Sequence, residues 1–179
     1  MKAIISFLLL AIPSVASAHA VVFPKASTQG AYERYVLRVP NEKDVPTTRV
    51  EMRFPSNMRV LSFTDVQGWQ LEILRDSSKA IVGAVWTGTL PPERFVEFPF
   101  VAVNPKTDAT IVWPAYQTYE GGERVEWTGA PESERPASST VITQATATSG
   151  GGGNVTGYVA FAALAVSLLS LGLALRRSA

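Results

Sequence analysis

Apolar and polar side chains alternate with a period of two along most of the chain between residues 32 and 129. Val50, Met52 and Phe54 are interleaved with Glu51 and Arg53, and Trp69, Leu71 and Ile73 with Gln70 and Glu72. A strand turns successive side chains to opposite faces, so this alternation marks strands buried on one side. The runs YERYVLRVP, TTRVEMRFP, MRVLSF, WQLEILR, AIVGAVW, RFVEFPFVAV, TIVWPAY and ERVEWTG all carry it. Pro and Gly punctuate them at 40, 46, 55, 68, 88, 91, 92, 105, 121 and 122, and no long segment has the 3.6-residue period of an amphipathic helix. Short strands at that spacing predict an all-β fold, an immunoglobulin-like or related Greek-key β-sandwich whose strand order the pattern leaves open.

The pattern changes at both ends. Residues 1–18 carry Lys2, the apolar run IISFLLLAI, Pro13 and then small residues, the order of a secretory signal peptide. That run is too short to span a bilayer. Residues 155–175, VTGYVAFAALAVSLLSLGLAL, have no charge and are followed at once by Arg176 and Arg177. A helix of that length covers roughly 30 Å, one hydrocarbon core, and the arginines predict a cytoplasmic C-terminus for the tail 176–179. Between domain and span, residues 131–154 are rich in Pro, Ser, Thr, Ala and Gly. With so little apolar surface to bury, they predict a flexible linker, with a root-mean-square span of roughly 25 Å. The expected β domain is therefore 19–130, outside the membrane on a single-pass anchor.

Charge and composition then narrow the function. The 16 basic and 15 acidic side chains nearly cancel, which gives no footprint for a nucleic-acid partner. The chain contains no cysteine, so no disulfide holds the domain and no thiol serves as nucleophile. A glycine-rich phosphate loop and a G-x-S-x-G elbow are also absent from the sequence. With a single histidine, His19, a Ser-His-Asp arrangement is not expected, and the protein reads as a non-enzyme.

His19 is instead a candidate metal ligand, and the signal-peptide cut decides its chemistry. Signal peptidase requires small residues at −3 and −1, and two frames satisfy it: Ala16-Ser17-Ala18, cut before His19, and Ala18-His19-Ala20, cut before Val21. The first frame makes His19 N-terminal. Its α-amine and imidazole Nδ1 then close a six-membered chelate ring on one metal ion. Two nitrogens with a carboxylate favour Cu(II), which tops the divalent affinity order for such ligands. Oxidative chemistry of the histidine-brace kind needs a second histidine, and the sequence has none.

The segments AHAVVFP, YVLRVPNEKDVPTTRVEMRFP, GW at 68–69, WTGTLPPERFVEFPF and QTYEGGERVEWTG, in this order, resemble the YcnI-like domains of bacterial envelopes. The resemblance implies a β-sandwich that binds one Cu(II) through an N-terminal histidine, a strand carboxylate and a tryptophan. On this chain these are His19, Glu97 in VEFPF and Trp127 in VEWTG; Glu126 is the competing carboxylate. It also favours the cut before His19. Alternation places Glu97 with Phe95 and Pro99 on one strand face, where partial desolvation would strengthen its pull on a cation. Trp127 would shield the ion by its π face, while Trp69, Trp86 and Trp113 are explained by core packing. One departure is QTYEGGE, where the family pattern leads us to expect an acidic residue near Gly121.

The implied role is a copper chaperone or acquisition factor on the bacterial inner membrane, with a membrane copper transporter or a periplasmic copper carrier as partner. The alternative is a metal-free adhesion or assembly module of the envelope. Intact mass of the mature protein separates them first: the expected chain begins at His19, and a chain beginning at Val21 removes the copper ligand altogether.

Overall fold

The computed structural model describes residues 19–145. Among them twelve strands follow in order: β1 Val21–Phe23, β2 Ala26–Thr28, β3 Tyr32–Pro40, β4 Thr47–Arg53, β5 Arg59–Phe63, β6 Gln70–Arg75, β7 Ile81–Leu90, β8 Phe95–Val103, β9 Ala109–Trp113, β10 Ala115–Tyr119, β11 Arg124–Trp127 and β12 Ser138–Thr143. They form a four-stranded sheet of order β1-β3-β8-β5, a five-stranded sheet β11-β10-β4-β7-β6, and a three-stranded sheet β2-β12-β9. All the pairings are antiparallel except β12 with β2.

The first two sheets pack face to face over the positions that alternation marks as apolar. Leu37, Val39, Phe98, Phe100 and Ala102 come from one sheet, and Val50, Met52, Ala84 and Trp86 from the other; all belong to one buried cluster. Trp86 stacks on Phe98 across the sheets with ring centres 4.5 Å apart. Trp113 joins the third sheet to this core through Tyr35 at 5.0 Å and Phe100 at 5.8 Å. Trp86 and Trp113 are core residues, as expected, and Trp69 packs edge-on against Phe98 at 5.0 Å.

Proline decides where the chain changes sheet. TIVWPAY reads as one strand, yet Pro114 divides it: β9 belongs to the three-stranded sheet and β10 to the five-stranded one. Pro114 has no N–H for a ladder, and its carbonyl accepts from Arg53 N–H at 3.0 Å. The cis Phe23–Pro24 bond lies at the similar break between β1 and β2.

The expected boundary at residue 130 is too short. Residues 138–143, assigned above to the linker, form β12 between β2 and β9. Its buried face carries Ser138, Thr140 and Ile142 while Val141 points outward. That polarity inverts the usual one, and hydrogen bonds explain it. Trp113 Nε1–H donates to Thr140 Oγ1 at 2.9 Å, and the Thr140 hydroxyl donates to the Pro24 carbonyl at 2.8 Å. The expected signal peptide 1–18, the remainder of the linker 146–154, the span 155–175 and the tail 176–179 lie outside the described residues. Among the described residues no helix is long and apolar enough to cross a membrane.

A chain ending at Ala130 should therefore be less stable than one ending at Ala145. Losing Ile142, fully buried here, costs about 1.5–3 kcal/mol, and leaving the Trp113 N–H unpaired costs about 1–3 kcal/mol more. Thermal circular dichroism of the two chains measures the difference, expected to be at least about 2.5 kcal/mol.

Candidate metal centre

His19 stands just ahead of β1, and the residues that follow it are firmly held. Ala20 and Val22 are buried, β1 pairs with β3 from Val21↔Arg38 to Phe23↔Val36, and Val22 N–H donates to Ser138 Oγ at 2.8 Å. Lys25 Nζ donates to the same hydroxyl at 2.9 Å, and burial pushes the Lys25 ammonium below its usual range. Ala20, Val21, Lys25 and Ser138 line one side of a cleft of about 290 Å³ that His19 shares with Pro131, Pro136 and Ser139.

The imidazole has two neighbours. Trp127, at the end of edge strand β11 and almost buried, meets it edge to face, with ring centres 5.6 Å apart and planes at 67°. The second neighbour comes from the strap between β11 and β12. Gly129 pairs with Pro136, its N–H donates to Arg135 O at 3.0 Å, and Ala137 N–H donates back to Gly129 O at 2.9 Å. A Cβ on Gly129 would sit 2.9 Å from Arg135 O and run into the Ser133 side chain, so this closure requires glycine. The strap brings the Glu134 carbonyl to 3.2 Å from His19 Nε2.

That contact fixes the tautomer. A carbonyl oxygen only accepts, so Nε2 must carry the hydrogen, and in the neutral ring the lone pair lies on Nδ1. Nδ1 is the nitrogen that shares a six-membered ring with a metal and the residue's own α-amine. Histidine ligands commonly have their second nitrogen held this way, which sets the ring plane as well as the tautomer.

Glu97 is placed differently. Its side chain shares the outer face of β8 with Phe95 and Pro99, as alternation requires, but it is 40% exposed and ion-paired with Arg38 Nη2 at 2.7 Å. Arg38, opposite Glu97 in the β3–β8 register, lies 5.1 Å from the Phe23 ring centre and 5.2 Å from that of Phe95. The carboxylate is thus neutralised by a cross-strand arginine rather than desolvated by its neighbours. It sits on a strand two positions from β1, about 10 Å sideways at ordinary strand spacing. The structure brings His19 and Trp127 together and leaves Glu97 with Arg38. Among the described residues no three of His, Cys, Asp and Glu cluster as a metal site. Glu126 is exposed, on the opposite strand face from Trp127 and 3.7 Å from Arg124.

Two contributors were not singled out from the sequence. The Glu134 carbonyl had no signal, because a backbone group carries none. Gln117 did have one: in AYQTY the core parity falls on Ala115, Gln117 and Tyr119, so a polar residue occupies an apolar position.

The profile of a family described as "Domain of unknown function (DUF1775)" matches residues 19–142. The chain belongs to this family. The DUF1775 match begins at His19 and takes in nearly all of β12, in accord with the domain boundary that the strands define. The YcnI-like resemblance of the sequence motifs has the same outcome: the DUF1775 domain is similar to Copper-binding protein CutI of Bacillus subtilis (strain 168), 36% identical over 140 residues, covering 76% of this chain and 68% of that protein. Among solved structures, an uncharacterized Nocardia farcinica protein with an immunoglobulin-like fold superposes with a TM-score of 0.63 at 27% identity, covering 70% of this chain and 99% of that one. The DUF1775 domain here is accordingly an immunoglobulin-like sandwich.

Nitrogen-15 NMR of His19 in the metal-free protein, above the pH at which the ring is neutral, checks the tautomer. The expected spectrum is that of an Nε2–H imidazole; a predominant Nδ1–H form would contradict the contact with Glu134.

Proposed function

We propose that this domain binds Cu(II) through His19 after a cut behind Ala18, and that it serves as a copper chaperone or acquisition factor outside the bacterial inner membrane, anchored by residues 155–175. The observation that carries the reading is the state of the His19 ring: Nε2 is occupied by the Glu134 carbonyl, Nδ1 is left with its lone pair, and the indole of Trp127 lies alongside. Similarity to Copper-binding protein CutI supports copper as the metal. So does the donor set, since an amine and an imidazole rank Cu(II) highest among divalent ions.

Each residue has a distinct task. His19 supplies two nitrogens, the strap holds its ring, and Trp127 keeps water from one side. Glu97 becomes the carboxylate ligand only by giving up Arg38, so its part is conditional on the metal's own charge displacing the guanidinium. A site built from one terminal residue at the rim of an open cleft suits transfer better than storage, because a partner can reach the ion. We take that partner to be a membrane copper transporter or a periplasmic copper carrier. No step of this reading requires catalysis.

The test is a spectroscopic Cu(II) titration of the chain that begins at His19 and of one carrying a single extra residue before it. The extension removes the free amine from the chelate, and affinity is expected to fall by orders of magnitude. Binding by the native chain should also weaken as the pH is lowered from about 8, because an α-amine with a pKa of about 7.7–8.0 must lose its proton to ligate. Equal binding by both chains would move the site elsewhere and favour the metal-free interaction module.

A further inference from the structure

Trp127 is held from behind. Its indole N–H can only donate, and in this nearly buried position it donates to Gln117 Oε1 at 3.3 Å. Gln117 is fully buried on β10, diagonal to Trp127 in the register that pairs Ala115 with Trp127 and Gln117 with Val125. Its Nε2 donates to the Pro40 carbonyl at 2.8 Å and to Thr47 Oγ1 at 2.7 Å. Those two acceptors fix which end of the carboxamide faces them. The amide cannot flip, because a flip would set its NH₂ group against the indole N–H. One side chain thereby ties the last residue of β3, the first residue of β4 and the indole on β11 at a single point.

The geometry points to Gln117 as the positioning residue of the His19 site: its carboxamide orients the Trp127 indole against the imidazole and so sets the sheltered side of the metal position. The inference rests on the copper reading for its ligand, while its geometric part stands without metal. Gln117 touches neither His19 nor the ion and acts through Trp127 alone. A residue that acts in this way from the outer shell of a metal site typically changes affinity by about 10–100-fold.

The test uses the chain beginning at His19, the variant Gln117→Met, and Val60→Ala as a stability control, since Val60 is buried on β5 at the opposite edge of the sheet from β1. All are read at a temperature where circular dichroism shows them folded. In the metal-free proteins, the His19 ring-proton shifts report the position of the Trp127 ring current. They are expected to move in Gln117→Met and to stay in Val60→Ala; unmoved shifts in Gln117→Met overturn the proposal. In Cu(II) titrations Gln117→Met is expected to bind at least about tenfold more weakly, and, added to Trp127→Phe, to cost little further, because coupled residues are not additive. Full additivity, or an equal loss in Val60→Ala, would assign Gln117 a structural role only. Should Gln117→Met fail to fold, Gln117→Asn withdraws the amide by one methylene and is expected to give the same shifts and loss. Failure of the native chain to bind Cu(II) defeats the copper reading alone, and the metal-free shifts still decide the role of Gln117.

Discussion

Phe98 is the side chain on which the two large sheets meet. It stacks on Trp86 of the opposite sheet at 4.5 Å and receives the edge of Trp69 at 5.0 Å. With no cysteine in the sequence, no disulfide cross-links the sheets, and burial with aromatic contact has to hold them together. Each such ring pair adds about 0.5–1.5 kcal/mol beyond its buried area. The arrangement also explains a glycine inside β7. A Cβ at Gly88 would lie 2.5 Å from Trp69 Cδ2 and 2.6 Å from the Gly68 carbonyl, so Trp69 can lie on that strand only because the position is bare.

Everything near His19 hangs from this joint in sequence. Phe98 sets β8, β8 carries β3, and the short β1 is laid on β3. A three-residue strand alone would hold the residue ahead of it poorly. Here it is gripped from the other side as well, by the hydroxyl of Ser138 at the start of β12. The polar network works in the same way. Gln117, Thr47 and Thr140 are buried, and each side chain has its hydrogen-bond partners; among the described residues no buried side-chain nitrogen or oxygen lacks one. Satisfied polar groups of this kind hold ring orientations more sharply than apolar contact does.

How much of this was legible depended on which force wrote it. Hydrophobic alternation located β3 to β8 and β11, although AIVGAVW stops at Trp86, short of the end of β7 at Leu90, and Ile73, on the apolar side of the β6 alternation, is exposed. It failed for β12, whose buried face is Ser138, Thr140 and Ile142, since a strand held by hydroxyl hydrogen bonds leaves no apolar pattern. It merged β9 with β10, because Pro114 interrupts neither apolar run. At the site, His19 and Trp127 were both visible, and the structure joins them. Glu97 had the expected face but not the expected surroundings. A register between strands far apart in sequence placed Arg38 opposite it, and no local pattern encodes that register.

The direction of β12 has a consequence for where the site looks. The strand starts at Ser138, beside Val22 and the strap that meets His19, and runs to Thr143. Six residues of extended chain cover about 20 Å. The imidazole and the point at which the chain departs toward residue 145 are therefore at opposite ends of one strand. Fixing the domain to a sensor surface at Ala145 would hold it by its far end and leave the His19 end pointing outward.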